Sequence, residues 1–284
     1  MTHWPLLLHS MGTPDTDPVG CLRTAAGLGL DGIELIVDDS YPCAVRPDAG
    51  PAALAALRRT AEDMGLRIAA LAPYAKDFGA EAAADRARAA AALDRAVELA
   101  DALGAGGVRV LPGREVPAGD HAAALDRAAA TLRPVAERAL RAAVSLNLEN
   151  HMDTLATTAR HTRSLADLVG SAGLGILYDQ ANLTLMGAEE PVDAVDVQWP
   201  LIRHVHVKNF IPTPLDRRPV GLGAGVVDWR TTVRALAAAG YRGAVTFEYE
   251  RRWYPDALPP PPEGLPADRD LLRCLMDEEI PPCA

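Results

Sequence analysis

The sequence predicts a single-domain α/β protein that folds as a (β/α)8 TIM barrel over residues 1–284. Eight short runs of β-type residues alternate with longer helical segments, at a spacing of roughly 35 residues that is typical of βαβ units in a parallel sheet. Several helix-to-strand joints carry glycine, which readily takes the left-handed conformation that ends a helix. No GxGxxG or Walker A motif follows the first run, so a closed barrel is favoured over a doubly wound nucleotide-binding sheet.

The candidate strands are short runs dominated by Val, Ile and Leu. In chain order they are Pro5–His9, Gly32–Ile36, Arg67–Leu71, Gly107–Leu111, Val144–Glu149, Gly175–Asp179, Ile202–Lys208 and Ala244–Tyr249. Eight such strands, in a chain of 284 residues, match the number and length that this barrel requires.

The segments between the strands are rich in Ala, Leu, Arg and Glu, with apolar residues three and four positions apart, which predicts amphipathic helices. They include Ala52–Met64, Glu81–Leu103, Ala122–Arg141, Leu155–Leu168 and Trp229–Ala239. Gly65, Gly104 and Gly240 follow three of these helices, where each is expected to turn the chain back towards the next strand.

Two Pro/Gly-rich loops, Asp38–Gly50 and Ile211–Val227, follow the second and seventh strands. Both therefore lie at the C-terminal face of the barrel, where such folds build their functional sites. Near the end of the chain, residues 255–266 are Pro-rich. There Pro259–Pro262 is expected to form a stiff polyproline spacer before a last helix, Ala267–Met276.

The composition argues against nucleic acid and membrane as partners. The formal net charge is −10, which repels polyanions, and no apolar run approaches the roughly 18 residues that span a bilayer. The N-terminal apolar stretch is too short for a signal peptide, and the four cysteines (Cys21, Cys43, Cys274 and Cys283) show no CxxC spacing. We therefore expect a cytoplasmic protein with reduced thiols that acts on a small molecule.

Four consecutive strands in the second half end on residues that bind metals. The fifth delivers Glu149, the sixth Asp179, the seventh His204 or His206, and the eighth Glu248. Because side chains alternate along a strand, the candidates on the fifth, seventh and eighth strands share the polar face, which points into the barrel. Four strand ends in register would bring these donors to one point at the top of the barrel.

Three carboxylates and one imidazole form a donor set of three oxygens and one nitrogen. Such a set suits Mn2+, Mg2+ or Co2+, with Zn2+ also compatible, and it does not favour a metal that demands thiolates. Without a cation, three buried carboxylates would repel one another and their pKa values would rise. The sequence therefore predicts one divalent metal ion, with Mn2+ preferred.

Four stretches of the sequence resemble the xylose-isomerase-like superfamily of sugar phosphate isomerases and epimerases, which includes tagatose 3-epimerase, hydroxypyruvate isomerase, inosose dehydratase and endonuclease IV. They are Leu148–His151, Tyr178–Asn182, His204–Lys208 and Gly240–Glu248. The resemblance covers nearly the whole chain, from Gly32–Leu35 onwards. It implies that the protein forms a homodimer, as relatives commonly do.

The resemblance also implies roles for individual residues. Glu149, Asp179, His206 and Glu248 would bind one divalent metal, and the two glutamates would also act as the catalytic acid and base. His206, rather than His204, takes the histidine position.

Further residues are assigned to the substrate. His151 and Arg217 would contact it by resemblance, and Asn182 belongs to the same set. His9 is a substrate-contact candidate at the end of the first strand. For Glu34 a structural salt bridge is an equally good interpretation, and Lys208 either stabilises an oxyanion or pairs with a ligand carboxylate. Four aromatic residues are candidate pocket walls, with core packing as the alternative: Trp4, Tyr74, Trp253 and Tyr254.

The predicted activity is metal-dependent isomerisation or epimerisation of a sugar, sugar phosphate or cyclitol. The metal would make the C–H beside a bound carbonyl more acidic, and one carboxylate would remove that proton to give an enediolate. The runner-up is a dehydratase of the inosose dehydratase type, in which a β-hydroxyl leaves. An endonuclease IV-like hydrolase needs several more histidines than the seven present, and a non-catalytic barrel would be expected to lose its ligands.

Two departures from the family pattern lie on the loop after the seventh strand. The family often has Asp where this chain has Asn209, and Gly223-Ala224-Gly225 lacks the glutamate that is usual at its centre. Both changes affect the expected substrate pocket and leave the metal set intact.

Overall fold

The computed structural model of the protein describes residues 3–213 and 217–280, and these ranges contain ten strands and nine α-helices. The strands are β1 (Leu6–His9), β2 (Gly32–Val37), β3 (Arg67–Pro73), β4 (Gly107–Val110), β5 (Ser145–Glu149), β6 (Leu174–Asp179), β7 (Ile202–Val207), β8 (Asn209–Pro212), β9 (Arg217–Val220) and β10 (Ala244–Phe247). The helices are α1 (Pro18–Gly27), α2 (Pro51–Asp63), α3 (Ala83–Leu103), α4 (His121–Arg141), α5 (Ala159–Val169), α6 (Gln180–Leu185), α7 (Pro191–Gln198), α8 (Trp229–Ala239) and α9 (Pro261–Glu279). Cys283 lies outside the described residues.

Eight parallel strands close into a barrel in the order β1-β10-β7-β6-β5-β4-β3-β2, which confirms the predicted TIM barrel fold. Each neighbouring pair is parallel, and the closing contact pairs Leu6 of β1 with Val245 of β10. All the carboxyl ends therefore open on the same face. No helix in the described ranges is long and apolar enough to cross a membrane.

Alternation along the strands separates an apolar outside from a polar inside. The outward residues are packed under the helices, as Leu146 and Leu148 of β5 and Val205 of β7 show by their complete or nearly complete burial. Inward residues such as Asn147 and Thr246 are polar and equally buried. The interior of this barrel therefore contains several polar groups among apolar ones such as Leu7 and Leu177, and the polar groups lead to the site at the C-terminal face.

Local signals fix the helix ends. The Asp228 side chain accepts a hydrogen bond from the Thr231 N–H and so caps the first turn of α8, which is a standard way to satisfy a free backbone donor. Gly65, Gly104 and Gly240 have φ values of 70°, 72° and 89°, as expected for residues that leave a helix in the left-handed conformation.

Two predicted boundaries are wrong. Helix α5 begins at Ala159, not Leu155, because the Thr158 side chain accepts from the His161 N–H and caps the helix there. The last helix begins at Pro261, so Pro259–Pro262 is not a polyproline spacer. Proline is tolerated in the first turn of a helix, where backbone N–H groups have no intrahelical acceptor, so these prolines begin the helix and do not precede it.

The segment after β7 is more ordered than the predicted loop Ile211–Val227. Strands β8 and β9 form an antiparallel hairpin, in which Asn209 pairs with Val220 and Pro212 with Arg217. A short 3-10 turn at Leu222–Ala224 follows it. This hairpin carries Arg217 to the mouth of the barrel.

Candidate metal centre

The four donors predicted from the strand ends lie together at the C-terminal face of the barrel. Glu149 and Asp179 are the last residues of β5 and β6, His206 is near the end of β7, and Glu248 directly follows β10. The strand register pairs Asp179 with His206 and places Thr246, two residues before Glu248, opposite His206 as well. One donor atom from each of the four lies within 4.8 Å of the others, and all four residues are buried.

His206 is oriented so that one ring nitrogen faces this cluster. Its Nε2 donates to Glu34 Oε2 at 2.9 Å, so Nδ1 is the nitrogen that faces the cluster. Burial alone would lower the pKa of His206, but Glu34 and Glu248 raise it, so Nδ1 must lose its proton before it can bind an ion. Nδ1 lies 3.7 Å from Glu149 Oε1 and 3.6 Å from Glu248 Oε2, and it is buried without a hydrogen-bond partner among the described residues. An imidazole held from behind by a carboxylate, with its free nitrogen among three further carboxylates, fits a divalent cation.

His204 points towards the other end of the barrel. Its Nε2 lies 2.7 Å from Thr246 Oγ1 and 3.1 Å from Glu34 Oε2. Glu34, His204 and His206 also approach one another closely enough to suggest a second ion. However, both imidazoles lie at hydrogen-bond distance from Glu34, so hydrogen bonds from the two histidines explain the short distances without a metal ion.

The charge of the cluster needs a cation. Burial raises the pKa of Asp179 to about 6, and the nearby Glu248 and Glu149 add to the rise, although Lys208 opposes it. Burial also disfavours the charge on Glu149, but the nearby imidazole of His206 and the charge of Arg109 outweigh it and lower the pKa of Glu149 to about 2. The site therefore holds ionised carboxylates side by side, an arrangement that a divalent ion stabilises.

Lys208 lies at the edge of the cluster. Its Nζ is 2.9 Å from Asp179 Oδ2 and also contacts Glu248 Oε2. It therefore pairs with two carboxylates of the cluster. Its side chain also lines the cavity above the cluster, where it could stabilise an oxyanion of the substrate. Its contact with substrate stays a prediction.

A cavity of about 510 Å3 opens directly above the donors. His151, Asn182, Lys208 and Arg217, four of the six residues predicted to bind substrate, line it. Asn182 also donates to Glu149 Oε1 at 3.4 Å and so connects the cavity wall with the cluster.

The other two predicted substrate contacts, His9 and Glu34, lie deeper. Both are fully buried in the barrel, and neither lines the cavity. The His9 ring packs edge-on against His206 with the centroids 5.8 Å apart, and burial lowers the pKa of His9 to about 4, which keeps it neutral. Glu34 holds His206, which favours the structural interpretation of this residue, and substrate contact by His9 stays a prediction.

The aromatic candidates divide into two groups. Tyr74, Trp253 and Tyr254 line the cavity. For Trp4 the core-packing interpretation is confirmed, because it precedes β1 at the opposite end of the barrel. There it is buried against Tyr241 and its Nε1 donates to the Tyr241 carbonyl.

The unusual Asn209 organises the loop that carries Arg217. Its amide donates to Leu222 O at 2.7 Å and Val227 O at 3.3 Å, while Oδ1 accepts from the backbone N–H groups of Phe210 and Val227. A carboxylate could only accept, so the amide is what allows this residue to join both ends of the segment. A Cβ at Gly225 would lie 2.1 Å from Asn209 Oδ1, which explains why glycine stands there.

Sequence reasoning missed four charged residues of the cavity wall: Asp38, Lys76, Arg109 and Glu250. Arg109 shares the inward face of β4 with Gly107, so the alternation that located Glu149 would also have found it. Glu250 continues the inward series of Glu248, and its Oε1 accepts from Arg217 Nη2 at 3.2 Å.

A closed parallel barrel with buried carboxylate and histidine donors at the carboxyl ends of adjacent strands defines the class of the molecule: a (β/α)8 barrel with a candidate metal centre. A family model described as xylose isomerase-like TIM barrel matches residues 22–275. The chain therefore belongs to the xylose isomerase-like TIM barrel family.

Solved structures of similar fold span nearly the whole chain. An L-ribulose 3-epimerase has a TM-score of 0.79 and 22% identity, with coverage of 98% of this chain and 96% of that chain. The probable 3-DHS dehydratase of Bacillus anthracis has a TM-score of 0.73 and 18% identity, with coverage of 95% and 98%. A xylose isomerase-like TIM barrel protein from Mycobacterium smegmatis, in complex with magnesium, has a TM-score of 0.75 and 18% identity, with coverage of 98% of both chains. Among curated proteins, none matches the chain significantly.

Proposed function

We propose that this protein is a divalent-metal-dependent isomerase or epimerase that moves a proton beside the carbonyl of a small carbohydrate or cyclitol. The observation that carries the proposal is the geometry of His206, whose Nδ1 faces Glu149 and Glu248 without a hydrogen bond. The similarity in fold to an L-ribulose 3-epimerase and to a barrel protein in complex with magnesium supports it.

Glu149, Asp179, His206 and Glu248 would hold the ion, and the mixed oxygen and nitrogen donors suit Mn2+ first, with Mg2+, Co2+ or Zn2+ as alternatives. When bound, the ion would polarise the substrate carbonyl and stabilise the negative charge that develops on deprotonation.

Glu149 and Glu248 are the proton carriers in this proposal. One carboxylate takes the proton from the carbon beside the carbonyl, and the C–H electron pair is delocalised onto the carbonyl oxygen. The other glutamate, as its carboxylic acid, returns a proton to carbon. Return to the same carbon from the opposite face inverts its configuration. Return to the former carbonyl carbon, together with transfer of the neighbouring hydroxyl proton to the former carbonyl oxygen, moves the carbonyl. Lys208, beside Glu248, would keep that carboxylate in place.

Dehydration is the second candidate. It is favoured by the position of Lys208, whose Nζ reaches both the donor cluster and the cavity and could give a proton to a departing hydroxyl group. The similarity to a structure described as a probable dehydratase supports the same alternative. An endonuclease IV-like hydrolase, which needs more histidines, finds little support. The two candidate ligand groups in the described residues are not independent, because both contain His206. Homodimer formation and a cytoplasmic location stay predictions.

Metal content tests the site first. We expect about one divalent ion per chain in protein loaded with Mn2+ and dialysed, and its loss in Glu149→Gln and His206→Ala. Matched controls are Glu137→Gln and His161→Ala, which change the same residue types away from the barrel mouth and should keep the ion. A wild-type chain that binds no Mn2+ would contradict the proposal.

The reaction is tested by exchange in D2O. The Mn2+-loaded protein, incubated with a panel of ketoses and cyclitols, should incorporate deuterium at the carbon beside the carbonyl of its substrate. In a parallel reaction in H2O, a product with the same mass as the substrate indicates epimerisation or isomerisation. A product that is lighter than the substrate by one water indicates dehydration. Exchange that persists in Glu149→Gln and Glu248→Gln would overturn the assigned roles.

A further inference from the structure

One wall of the cavity carries a buried cation with unused hydrogen-bond donors. The side chain of Arg109 is only 2% exposed. It donates to Pro73 O at 3.1 Å and makes a long contact of 3.5 Å with Glu149 Oε2, and its Nε has no partner among the described residues. A guanidinium has five N–H groups, so most of its capacity is left for another acceptor.

Two further donors stand on the same wall. Tyr74, whose ring lies 4.8 Å from Arg109 Cζ, has a buried hydroxyl without a partner in the described part of the chain. Lys76 lines the cavity, is half-buried, and forms no ion pair or hydrogen bond with any residue in the described ranges. Tyr74 and Lys76 follow β3, next to β4 with its Arg109, so the three come from adjacent parts of the barrel mouth.

Most other charged residues of the cavity wall have partners. Lys208 contacts Asp179 and Glu248, and Arg217 contacts Glu250. Asp38 accepts hydrogen bonds from the backbone and hydroxyl of Ser40 and has no ion-pair partner among the described residues. The spare N–H groups of Arg109 and the unpaired ammonium of Lys76 lie on the wall shared with Tyr74, and a buried donor left unpaired is costly unless a ligand pairs with it.

We propose that the substrate carries an anionic oxygen group, a carboxylate or a phosphate, and that Arg109, Tyr74 and Lys76 bind it. This rests on the proposed function, because the reacting carbonyl must lie at the donor cluster while the anionic group meets this wall. Carboxylates and phosphates both match the planar donor pattern of a guanidinium. Arg109 also contacts Glu149, so the anionic group lies within a few bonds of the reacting carbon. The three residues then select acidic substrates over neutral sugars.

The test compares three six-carbon ketone probes in Mn2+-loaded protein by calorimetry: D-fructose, 5-keto-D-gluconate and D-fructose 6-phosphate. We expect the carboxylate or the phosphate probe to bind about tenfold or more tightly than D-fructose, as charge-assisted hydrogen bonds allow. Arg109→Gln should remove most of that preference. Tyr74→Phe and Lys76→Met, which leave the contact with Glu149 untouched, should each reduce it severalfold.

Arg230→Met serves as the charge-matched control, because Arg230 is exposed on α8 and pairs with Glu278. Equal binding of all three probes to the wild type, or binding of none of them, would overturn the inference. So would a loss of preference in Arg230→Met as large as that in Lys76→Met, since only the general field of the protein would then be responsible. Whichever anionic probe is preferred identifies the group.

Measured Mn2+ content separates this inference from the proposed function. A chain that binds 5-keto-D-gluconate through Arg109 but holds no Mn2+ would keep the anion site and remove the metal-dependent reaction. A chain that holds Mn2+ and exchanges protons of a neutral ketose, with no preference for either anionic probe, would keep the reaction and remove the anion site.

Discussion

Glu34 Oε2 lies 2.9 Å from His206 Nε2, and this contact decides which nitrogen of the imidazole faces the carboxylate cluster. Glu34 comes from β2 and His206 from β7, which are separated by β1 and β10 around the barrel. The contact therefore crosses the polar interior and fixes the ring from behind. Such a carboxylate both orients a metal-binding histidine and strengthens it as a donor.

The first prediction concerns this contact. Glu34→Gln keeps the size of the side chain and an oxygen acceptor for the His206 N–H, but it removes the charge. We expect the affinity for Mn2+ to fall by about 10- to 100-fold, while the far-ultraviolet circular dichroism of the barrel stays unchanged. Titration calorimetry on the metal-free variant measures this. Glu137→Gln, on the exposed side of α4, is the matched control, and an unchanged affinity in Glu34→Gln would show that the contact is only structural.

The second prediction concerns Lys208, the cation that accompanies the cluster when no metal is bound. Lys208→Met leaves buried carboxylates without their ammonium partner, and we expect the metal-free protein to lose about 3–5 kcal/mol of unfolding free energy. Saturating Mn2+ should reduce the loss, because the ion supplies the missing positive charge. Urea unfolding with and without Mn2+ measures both values.

A surface ion pair provides the comparison for Lys208. Arg58 and Glu62 pair at 2.8 Å on the exposed face of α2, and Arg58→Met should cost less than about 1 kcal/mol. A similar loss in the two variants would mean that Lys208 is effectively solvated. A loss in Lys208→Met that is equal with and without Mn2+ would place the ion elsewhere.

The strand ends allowed most of the donor cluster to be predicted, whereas the cavity wall was predicted only in part. Alternation along β5, β7 and β10 identifies Glu149, His206 and Glu248, because one face of each strand is apolar and the other polar. Arg109 lies on the shorter strand β4. Alternation places its side chain inward, but a single arginine between two valines does not by itself indicate a functional site.

Other features depend on tertiary contacts that no local pattern records. The choice between His204 and His206 follows from the position of Glu34, which is far away in sequence. The start of α9 at Pro261 depends on the tolerance of a first helical turn for proline, which a reading of Pro as a break overlooks. The hairpin β8–β9 has only four paired residues in each strand, which is too few for an alternation of polar and apolar residues to be recognised.

The third prediction concerns Asn209, where the family often has aspartate. In this chain the amide donates to two carbonyls, Leu222 O and Val227 O, and a carboxylate would face both of them without a proton to share. We expect Asn209→Asp to lower the unfolding free energy by about 2–4 kcal/mol at pH 7, because two buried acceptors lose their donor. Chemical denaturation at pH 7 and pH 4 measures this, and the loss should shrink at low pH as the carboxyl group regains a proton. Full stability of Asn209→Asp at pH 7 would show that the segment adjusts to the acid.

The fourth prediction uses Asp268, a carboxyl group that is not part of the donor cluster. It lies on α9 and accepts a hydrogen bond from the Leu222 N–H at 2.7 Å, in a largely buried position. Burial raises the pKa of Asp268 from 3.8 to about 6, although the hydrogen bond from Leu222 partly opposes it. The folded protein therefore binds this proton more tightly than the unfolded chain does, and stability from this group is lost as the pH rises from about 4 to about 6.

Asp268→Asn removes that dependence, because the amide oxygen still accepts from Leu222 N–H and no charge has to be buried. A cavity of about 20 Å3 beside the side chain has room for one water that could accept from the new amide. We expect the variant to exceed the wild type by about 1–2 kcal/mol at pH 7 and to match it near pH 4. The difference between the two unfolding free energies, measured by urea titration at intervals from pH 4 to pH 7, isolates this group from the other titrating residues. If that difference stays constant across the range, the pKa of Asp268 is the same in the folded and the unfolded protein, and the hydrogen bond from Leu222 offsets the cost of its burial.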